Sequence, residues 1–113
     1  MEMIELRGYI DEIGTQRFTK WFTSLDAIAA AKVAIALTRM EKGNFSNVQG
    51  VGGGVLEYKI DFGPGYRIYF GKDGERLVIL IGGGTKKRQG EDIAAANLCW
   101  IDYKRRKKYA PYP

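Results

Sequence analysis

The stretch that decides the fold runs from Val55 to Phe70 and reads VLEYKIDFGPGYRIYF. Its apolar residues alternate with polar ones on both sides of a Gly-Pro-Gly corner. This period of two predicts two half-buried strands, and the corner at Gly63–Gly65 predicts a hairpin between them. The residues expected to share one core face are Leu56, Tyr58, Ile60 and Phe62 before the corner and Tyr66, Ile68 and Phe70 after it.

A third strand, RLVILIGG, follows at residues 76–83. The dipeptide Asp73-Gly74 predicts a two-residue type I′ turn before it, so the three strands would form an antiparallel meander. The expected pairings are Phe62 with Tyr66 and Lys72 with Glu75, which set Arg67 opposite Asp61 and Leu80, and Tyr69 opposite Lys59 and Val78.

Two helices are predicted upstream of this sheet, after a short strand at residues 2–7. Thr15 can cap the first helix, whose apolar stripe is Phe18, Trp21, Phe22 and Leu25. Ser24 or Asp26 can cap the second, which ends at Gly43 and whose buried stripe is Ile28, Val33, Leu37 and Met40. The glycine-rich residues 43–54 predict a loop, and they lack the Gly-Lys-Ser/Thr of a nucleotide-binding loop.

Arg67 falls in the middle of the predicted sheet, on the face away from the two helices. Glu57, Lys59 and Tyr69 share that face, with Val78 and Leu80 beside them. This mixture of charged and apolar side chains predicts a groove for a ligand or a second chain, whose bound segment would cover Val78 and Leu80. An exposed cross-strand ion pair between Arg67 and Asp61 is the simpler alternative.

A third helix is predicted to begin at Gly90, with core spacing at Ile93, Ala96, Trp100 and Tyr103. Three consecutive cations, Lys86, Lys87 and Arg88, stand between the last strand and this helix. They could bind phosphates in the same groove as Arg67 and Lys59. A solvated turn is the alternative.

The positive charge is concentrated near the C-terminus. The formal net charge is +5, and KRRKK at residues 104–108 accounts for it, because the other 13 Lys and Arg balance 13 Asp and Glu. We expect a single domain at residues 1–103 and a basic tail at residues 104–113. That tail is either a solvated helix end or disordered arm, or a contact for a polyanion.

Other sequence features bear on the cellular compartment. No apolar run approaches the roughly 20 residues of a membrane helix, so no membrane association is expected. The single Cys99 cannot form an internal disulfide, and the first residues lack a signal peptide. The predicted location is therefore the cytoplasm.

Four segments carry a resemblance to a known family: FTKWFTSLD, ALTRMEKGNFSNV, GGGVLEYKIDFGPGYRIYF and ILIGGGTKKRQGEDIAAA. In this order, over roughly Thr15 to Ala96, the chain resembles the RelE/ParE toxin superfamily, specifically its HigB-like, phage-derived addiction-module killer proteins. The resemblance implies an α+β fold with a β-α-α-β-β-β core and a C-terminal helix, in which a helical hairpin packs on one face of an antiparallel meander.

The same resemblance implies a toxin of a type II toxin–antitoxin system. Such relatives are endoribonucleases that cleave messenger RNA, commonly on the ribosome, without a metal or other cofactor. A cognate antitoxin, often with a helix-turn-helix domain, neutralises them. By position, the family's strand arginine falls on Arg67, its preceding-strand basic residue on Lys59 and its post-sheet lysine on Lys86.

The chemistry of metal-free RNA cleavage suggests a role for each residue. The 2′-OH needs a base, the phosphate needs cations and the leaving oxygen needs an acid. The chain has no histidine, so we expect Glu57 to act as the base and Tyr69 or Tyr103 as the acid. The expected phosphate contacts are Arg67, Lys59 and Lys86, with Lys87 and Arg88 as further substrate-binding residues.

The turn after the sheet departs from the family pattern. Relatives carry an acidic residue followed by Lys-Ser-Thr/Ser-Gln, whereas this chain has Thr85-Lys86-Lys87-Arg88-Gln89. The two added charges favour polyanion binding. Two other functions fit the same fold: a non-nucleolytic toxin that acts on a protein such as DNA gyrase, as the ParE branch does, and an inactive domain kept for protein binding.

Overall fold

The computed structural model describes residues 3–109, except the side chain of Tyr109. The sheet has the order β1-β5-β4-β3-β2; β1 pairs with β5 in parallel, and all other neighbours are antiparallel. The elements in chain order are β1 (Glu5–Gly8), α1 (Arg17–Thr23), α2 (Ala27–Glu41), β2 (Val48–Gly52), β3 (Val55–Ile60), β4 (Tyr66–Lys72), β5 (Leu77–Thr85), a 3₁₀ turn (Lys86–Arg88) and α3 (Gln89–Tyr109).

The predicted α+β class, the meander β3-β4-β5 and the C-terminal helix are confirmed. Helix α3 extends to Tyr109, so residues 104–109 of the expected basic tail are helical, and the rest of the tail lies outside the described residues. Within residues 3–109, no helix is both long and apolar enough to cross a bilayer.

The predicted loop at residues 43–54 is wrong, because it contains strand β2. Strand β2 pairs with β3 along the sheet edge, with Gln49 opposite Glu57, and its register shifts between Gly50 and Gly52. Ladder hydrogen bonds come from the backbone and need no side chain. A glycine-rich segment can therefore add to the sheet although its composition disfavours a strand.

Helix α1 is capped at Gln16, not at the predicted Thr15. The backbone N–H of Thr15 donates to Asp11 Oδ1 at 2.8 Å, which holds Thr15 in the preceding turn. Helix α2 is capped by Asp26, one of the two expected residues, whose Oδ1 accepts from the N–H of Ala29. The predicted end at Gly43 is confirmed: its φ of 81° is left-handed, as a C-terminal glycine cap requires.

The buried stripe of α2 differs from the predicted one. Ala29, Val33, Ala36 and Met40 face the sheet, whereas Ile28 is 65% exposed. Residues four and three apart share a helix face. Ile28 precedes Val33 by five positions, so the expected pair could not lie on one stripe.

Two apolar cores lie on opposite faces of the sheet. Helices α1 and α2 cover one face, where Phe18, Val33 and Met40 pack against Ile68 and Phe70. Helix α3 covers the other. There the predicted spacing is confirmed, because Ala96 and Trp100 are buried and Ile93 and Tyr103 pack against them. The face that we expected to form a groove is therefore largely a second core.

The predicted β4–β5 pairing is also wrong. Lys72 pairs with Val78, which makes the turn longer than Asp73-Gly74, and a bulge separates the pairs Tyr69–Gly82 and Phe70–Leu80. The pairing next to the turn is shifted by three residues from the expected Lys72–Glu75 pair, and an odd shift reverses which face the side chains of a strand occupy. Val78 and Leu80 consequently lie in the core under α1 and α2, so they cannot form the partner surface expected on the other face.

The β3–β4 register is shifted by two residues from the expected one. Lys59 pairs with Arg67, and Glu57 pairs with Tyr69. Because the shift is even, it leaves every side chain on its predicted face. The expectation that Glu57, Lys59, Arg67 and Tyr69 share one face is confirmed.

Candidate functional site

Glu57 is the centre of a buried polar cluster at one end of β3 and β4. Its side chain is 0% exposed. Oε1 accepts from Gln49 Nε2 at 3.1 Å, and Oε2 accepts from Gln89 Nε2 at 2.8 Å. Arg67 Nε lies 3.7 Å from the same Oε2. A buried carboxylate is tolerated only with such partners, because its desolvation costs several kcal/mol.

Arg67 links this cluster to the Gly-Pro-Gly corner. Its Nη1 donates to the carbonyl oxygen of Gly65 at 2.6 Å, and the backbone N–H of Lys86 donates to the same oxygen at 3.0 Å. Gly65 has a φ of 78°, and a Cβ there would lie 2.9 Å from Arg67 Nη1. The Arg67 guanidinium therefore stabilises the corner that precedes it. Because the backbone N–H of Lys86 bonds the same carbonyl oxygen, this contact also positions the beginning of the 3₁₀ turn.

The alternative interpretation, an exposed ion pair between Arg67 and Asp61, is wrong. Arg67 is 6% exposed, and its ionic partner is Glu57. Asp61 lies beyond the end of β3 and is exposed. The register shift of two residues places Lys59, and not Asp61, opposite Arg67. The packing of α3 over this face of the sheet buries Arg67, which the alternative treated as exposed to solvent.

Tyr69 is also buried, at 1% exposure. Its hydroxyl makes no hydrogen bond of normal geometry, while Arg17, Gly83 and Asp92 line the small cavity beside its ring. Burial, and then the negative charge of Glu57, raise the pKa of Tyr69 far above its usual value. A higher pKa makes the phenol a weaker proton donor, so the expected acid role of Tyr69 requires a different environment from this one.

The exposed part of the site is cationic. Lys59 lies opposite Arg67 in the sheet, and Lys86, Lys87 and Arg88 form the 3₁₀ turn that follows β5. Arg88 pairs with Glu91 at 2.7 Å. Within residues 3–109, no carboxylate lies within ion-pair distance of Lys59, Lys86 or Lys87. These three ammonium groups define what we call the lysine rim.

The position of the rim is unfavourable for the fold alone. Lys86 and Lys87 immediately precede α3, whose N-terminal end carries the positive partial charge of the helix dipole. Cations there are repelled by the dipole, and the nearby acids Glu91 and Asp92 offset this only in part. A bound anion would relieve the repulsion, so the rim is suited to a phosphate group.

The remaining candidate acid, Tyr103, lies elsewhere. Its hydroxyl donates to Asp73 Oδ2 at 2.6 Å, beyond the end of β4 remote from Arg67. The site thus comprises the buried Glu57, Arg67 and Tyr69 and the exposed lysine rim, but it does not include Tyr103.

The sequence interpretation missed the two glutamines that hold Glu57. Gln49 lies on β2, which we expected to be loop, so nothing indicated that it faces Glu57. Gln89 occupies the last position of the post-sheet turn, and the sequence pattern gives no role to its side chain. Within the described residues, no group of three or more Cys, Asp or Glu side chains is arranged to hold a metal ion.

An uncharacterized protein of Haemophilus influenzae is 39% identical over 85 residues, which span 74% of this chain and 86% of that protein. The chain therefore belongs to the same family as this protein. No protein-family model matches the chain. Because the relative is itself uncharacterized, the relationship assigns no activity.

Proposed function

We propose that this protein is the toxin of a type II toxin–antitoxin pair, of the HigB-like branch of the RelE/ParE superfamily, and that it cleaves messenger RNA on the ribosome without a metal. The observation that carries the proposal is the lysine rim, three exposed ammonium groups that have no carboxylate within ion-pair distance among residues 3–109. Lys59 pairs with Arg67 in the sheet, and the Lys86 backbone bonds the same Gly65 carbonyl as Arg67. Its cognate antitoxin would neutralise it, as in the relatives that the sequence resembles.

The rim supplies what phosphodiester cleavage needs most, which is positive charge where the phosphate becomes more negative. Lys59 and Lys86 are exposed and can contact phosphate oxygens. Arg67 contributes by fixing the Gly65 carbonyl and, through it, the backbone of Lys86. Cleavage that uses the neighbouring 2′-OH as nucleophile then depends chiefly on how the RNA is positioned.

The roles of Glu57 and Tyr69 in proton transfer stay predictions. Gln89 Nε2 donates a hydrogen bond to Glu57 Oε2, and the Glu57 side chain has no exposed surface. For Glu57 to accept a proton from a 2′-OH, the start of α3 has to move away from it. We propose that the start of α3 moves away from Glu57 when the protein binds the ribosome.

A second candidate function is favoured by the burial of Arg67, Glu57 and Tyr69. A domain in which three of the expected catalytic residues are structural could instead act on a protein, either as a ParE-like toxin of DNA gyrase or as an inactive binding domain. The lysine rim would then contact acidic side chains.

The test compares induced expression of wild type, Lys59→Gln/Lys86→Gln and the control Lys32→Gln/Lys42→Gln in a bacterium. Both variants lose two exposed cations, but the control charges lie on or next to α2, across the sheet from the rim. Growth and genome-wide messenger RNA 5′ ends are measured. We expect new ends inside translated frames with wild type and control, and at least about tenfold fewer with the rim variant, which corresponds to about 1.4 kcal/mol.

Other outcomes discriminate between the functions. Growth arrest without new 5′ ends would reject the nuclease and favour a protein target. No arrest from a soluble, folded wild type would favour the inactive domain. Equal cleavage by wild type and rim variant would remove Lys59 and Lys86 from the site.

A further inference from the structure

The basic end of α3 is the strongest charged feature outside the candidate site. Its five consecutive cations, residues 104–108, are all helical, so the helix directs them to different sides. Arg105 and Arg106 both pair with Asp102 at 2.8 Å, and Arg106 also donates to the carbonyl of Ile10. These two arginines are used to hold the segment after β1 against α3.

The lysines of the same run lie on another side. Lys104, Lys107 and Lys108 are spaced at i, i+3 and i+4, and together with Lys72 from the end of β4 they line a recess of about 400 Å³. The single carboxylate in the lining is Asp73, which already bonds Lys107 and Tyr103. The ammonium of Lys72 lies 4.1 Å from the centroid of the Phe45 ring, which belongs to the core on the α2 side of the sheet. The charges that face the recess are therefore the three lysines of α3 and one acid.

The floor of this lysine recess is aromatic. The rings of Trp100 and Tyr103 stack with centroids 5.3 Å apart and planes only 4° apart. Lys104 Nζ lies 5.7 Å from the Trp100 ring centroid. Trp100 is only 5% exposed, so it supports the recess but cannot insert into a bilayer.

Helix stability alone does not explain the recess. Cations at a helix C-terminus complement its dipole, which accounts for Lys107 and Lys108. It does not account for Lys104, which lies more than one turn before the end of α3 and lines the same recess. A concave surface with several lysines over an aromatic floor is the arrangement that proteins use to follow the backbone of single-stranded nucleic acid.

We infer that the lysine recess is a second RNA-binding site, which contacts phosphates of the same strand that the lysine rim holds at the other end of α3. In its choice of ligand, the inference rests on the proposed function. Fifteen residues separate Gln89 from Lys104, a rise of about 22 Å along the helix. At about 3.4 Å per stacked nucleotide, six or seven nucleotides span that distance.

The experiment measures binding of a fluorescent 12-nucleotide 2′-O-methyl RNA by anisotropy over a range of salt concentrations. The 2′-O-methyl groups remove the nucleophile, so cleavage does not interfere. The recess variant is Lys104→Gln/Lys108→Gln, which leaves the Lys107–Asp73 contact intact. The control is Lys32→Gln/Lys42→Gln, with the same charge change across the sheet. Circular dichroism and urea midpoints verify that both fold.

Each phosphate contact contributes about 0.7 to the slope of log affinity against log salt for single strands. Loss of two contacts should make the slope shallower by about 1.4. Between 50 and 200 mM salt, wild type should then lose about 7-fold more affinity than the recess variant does. The control should keep the wild-type slope.

The inference is overturned if the recess variant keeps the wild-type slope, or if the control loses as much as the recess variant. It is also overturned if wild type does not bind the RNA and instead binds vesicles that contain phosphatidylserine. These outcomes are separate from those of the cleavage test. If wild type cleaves RNA but the recess variant keeps the wild-type salt slope, only the second site is refuted. If the recess variant has a shallower salt slope but wild type does not cleave RNA, only the nuclease is refuted.

Discussion

Replacing Arg67 by methionine removes the cation that faces Glu57 while keeping an unbranched apolar stem in place. We expect this variant to be strongly destabilised. Glu57 would remain 0% exposed, with Gln49 and Gln89 as its remaining donors. Methionine cannot neutralise the carboxylate, and water cannot reach it without opening the packing of α3 against the sheet.

The magnitude follows from the geometry of the pair. Arg67 Nε lies 3.7 Å from Glu57 Oε2. At an effective dielectric constant of about 20, two unit charges at that distance attract by about 4.5 kcal/mol. This agrees with the ~3–5 kcal/mol lost when one partner of a buried ion pair is removed. Since small domains are stable by only about 5–15 kcal/mol, the variant should be close to unfolding.

Urea unfolding followed by tryptophan fluorescence measures the effect. For an unfolding slope of about 2 kcal/mol per molar urea, a loss of about 4 kcal/mol lowers the midpoint by about 2 M. Adding Glu57→Gln should restore part of the loss, because it removes the unpaired charge and keeps the side-chain size. A midpoint for Arg67→Met within about 0.5 M of wild type would refute the argument that Arg67 neutralises a buried carboxylate.

Two further predictions concern the other end of the sheet. Gly71→Ala should lower the free energy of unfolding by about 1–3 kcal/mol, because its Cβ would lie 2.5 Å from the Trp100 ring. Gly82→Ala is the matched control, because a Cβ at Gly82 meets no atom within 4 Å. Equal urea midpoints for the two variants would contradict the close packing of α3 against the sheet. A hydrogen bond from Lys107 holds the pKa of Asp73 below its usual value, so its contribution is present above about pH 3.8 and lost as the pH falls through the folded-state pKa. The stability difference between wild type and Asp73→Asn, from urea unfolding, should therefore shrink from about pH 6 to about pH 2; a constant difference would mean that the Asp73 charge contributes nothing.

The alternation in VLEYKIDF and YRIYF was sufficient to predict the central hairpin and its faces. Side chains on a strand have a period of two, so the assignment of Tyr58, Ile68 and Phe70 to one core held although the register was shifted by two residues. The spacing of Ala96 and Trp100 likewise predicted the buried face of α3. These features depend on local pattern alone.

Strand β2 and the bulge depend on contacts between distant residues. A glycine-rich strand has no side-chain pattern to detect, and it forms because β3 offers an open edge. The register at the β4–β5 turn and the bulge beyond it are properties of the strand pair. The three-residue shift at the turn places Val78 and Leu80 in the core and not on the expected partner surface. Neither Gln49 nor its bond to Glu57 could be predicted without β2.

The burial of Arg67 changes how its variants should be interpreted. Because Glu57 balances its charge, Arg67 adds little net attraction for a phosphate, and the positive potential of the site comes from the lysine rim. Loss of growth arrest in an Arg67 variant would therefore follow from unfolding as readily as from lost chemistry. Lys59 and Lys86 are exposed and have no ionic partner among residues 3–109. Their removal should not lower stability, so they, and not the arginine, are the residues whose substitution can separate function from fold.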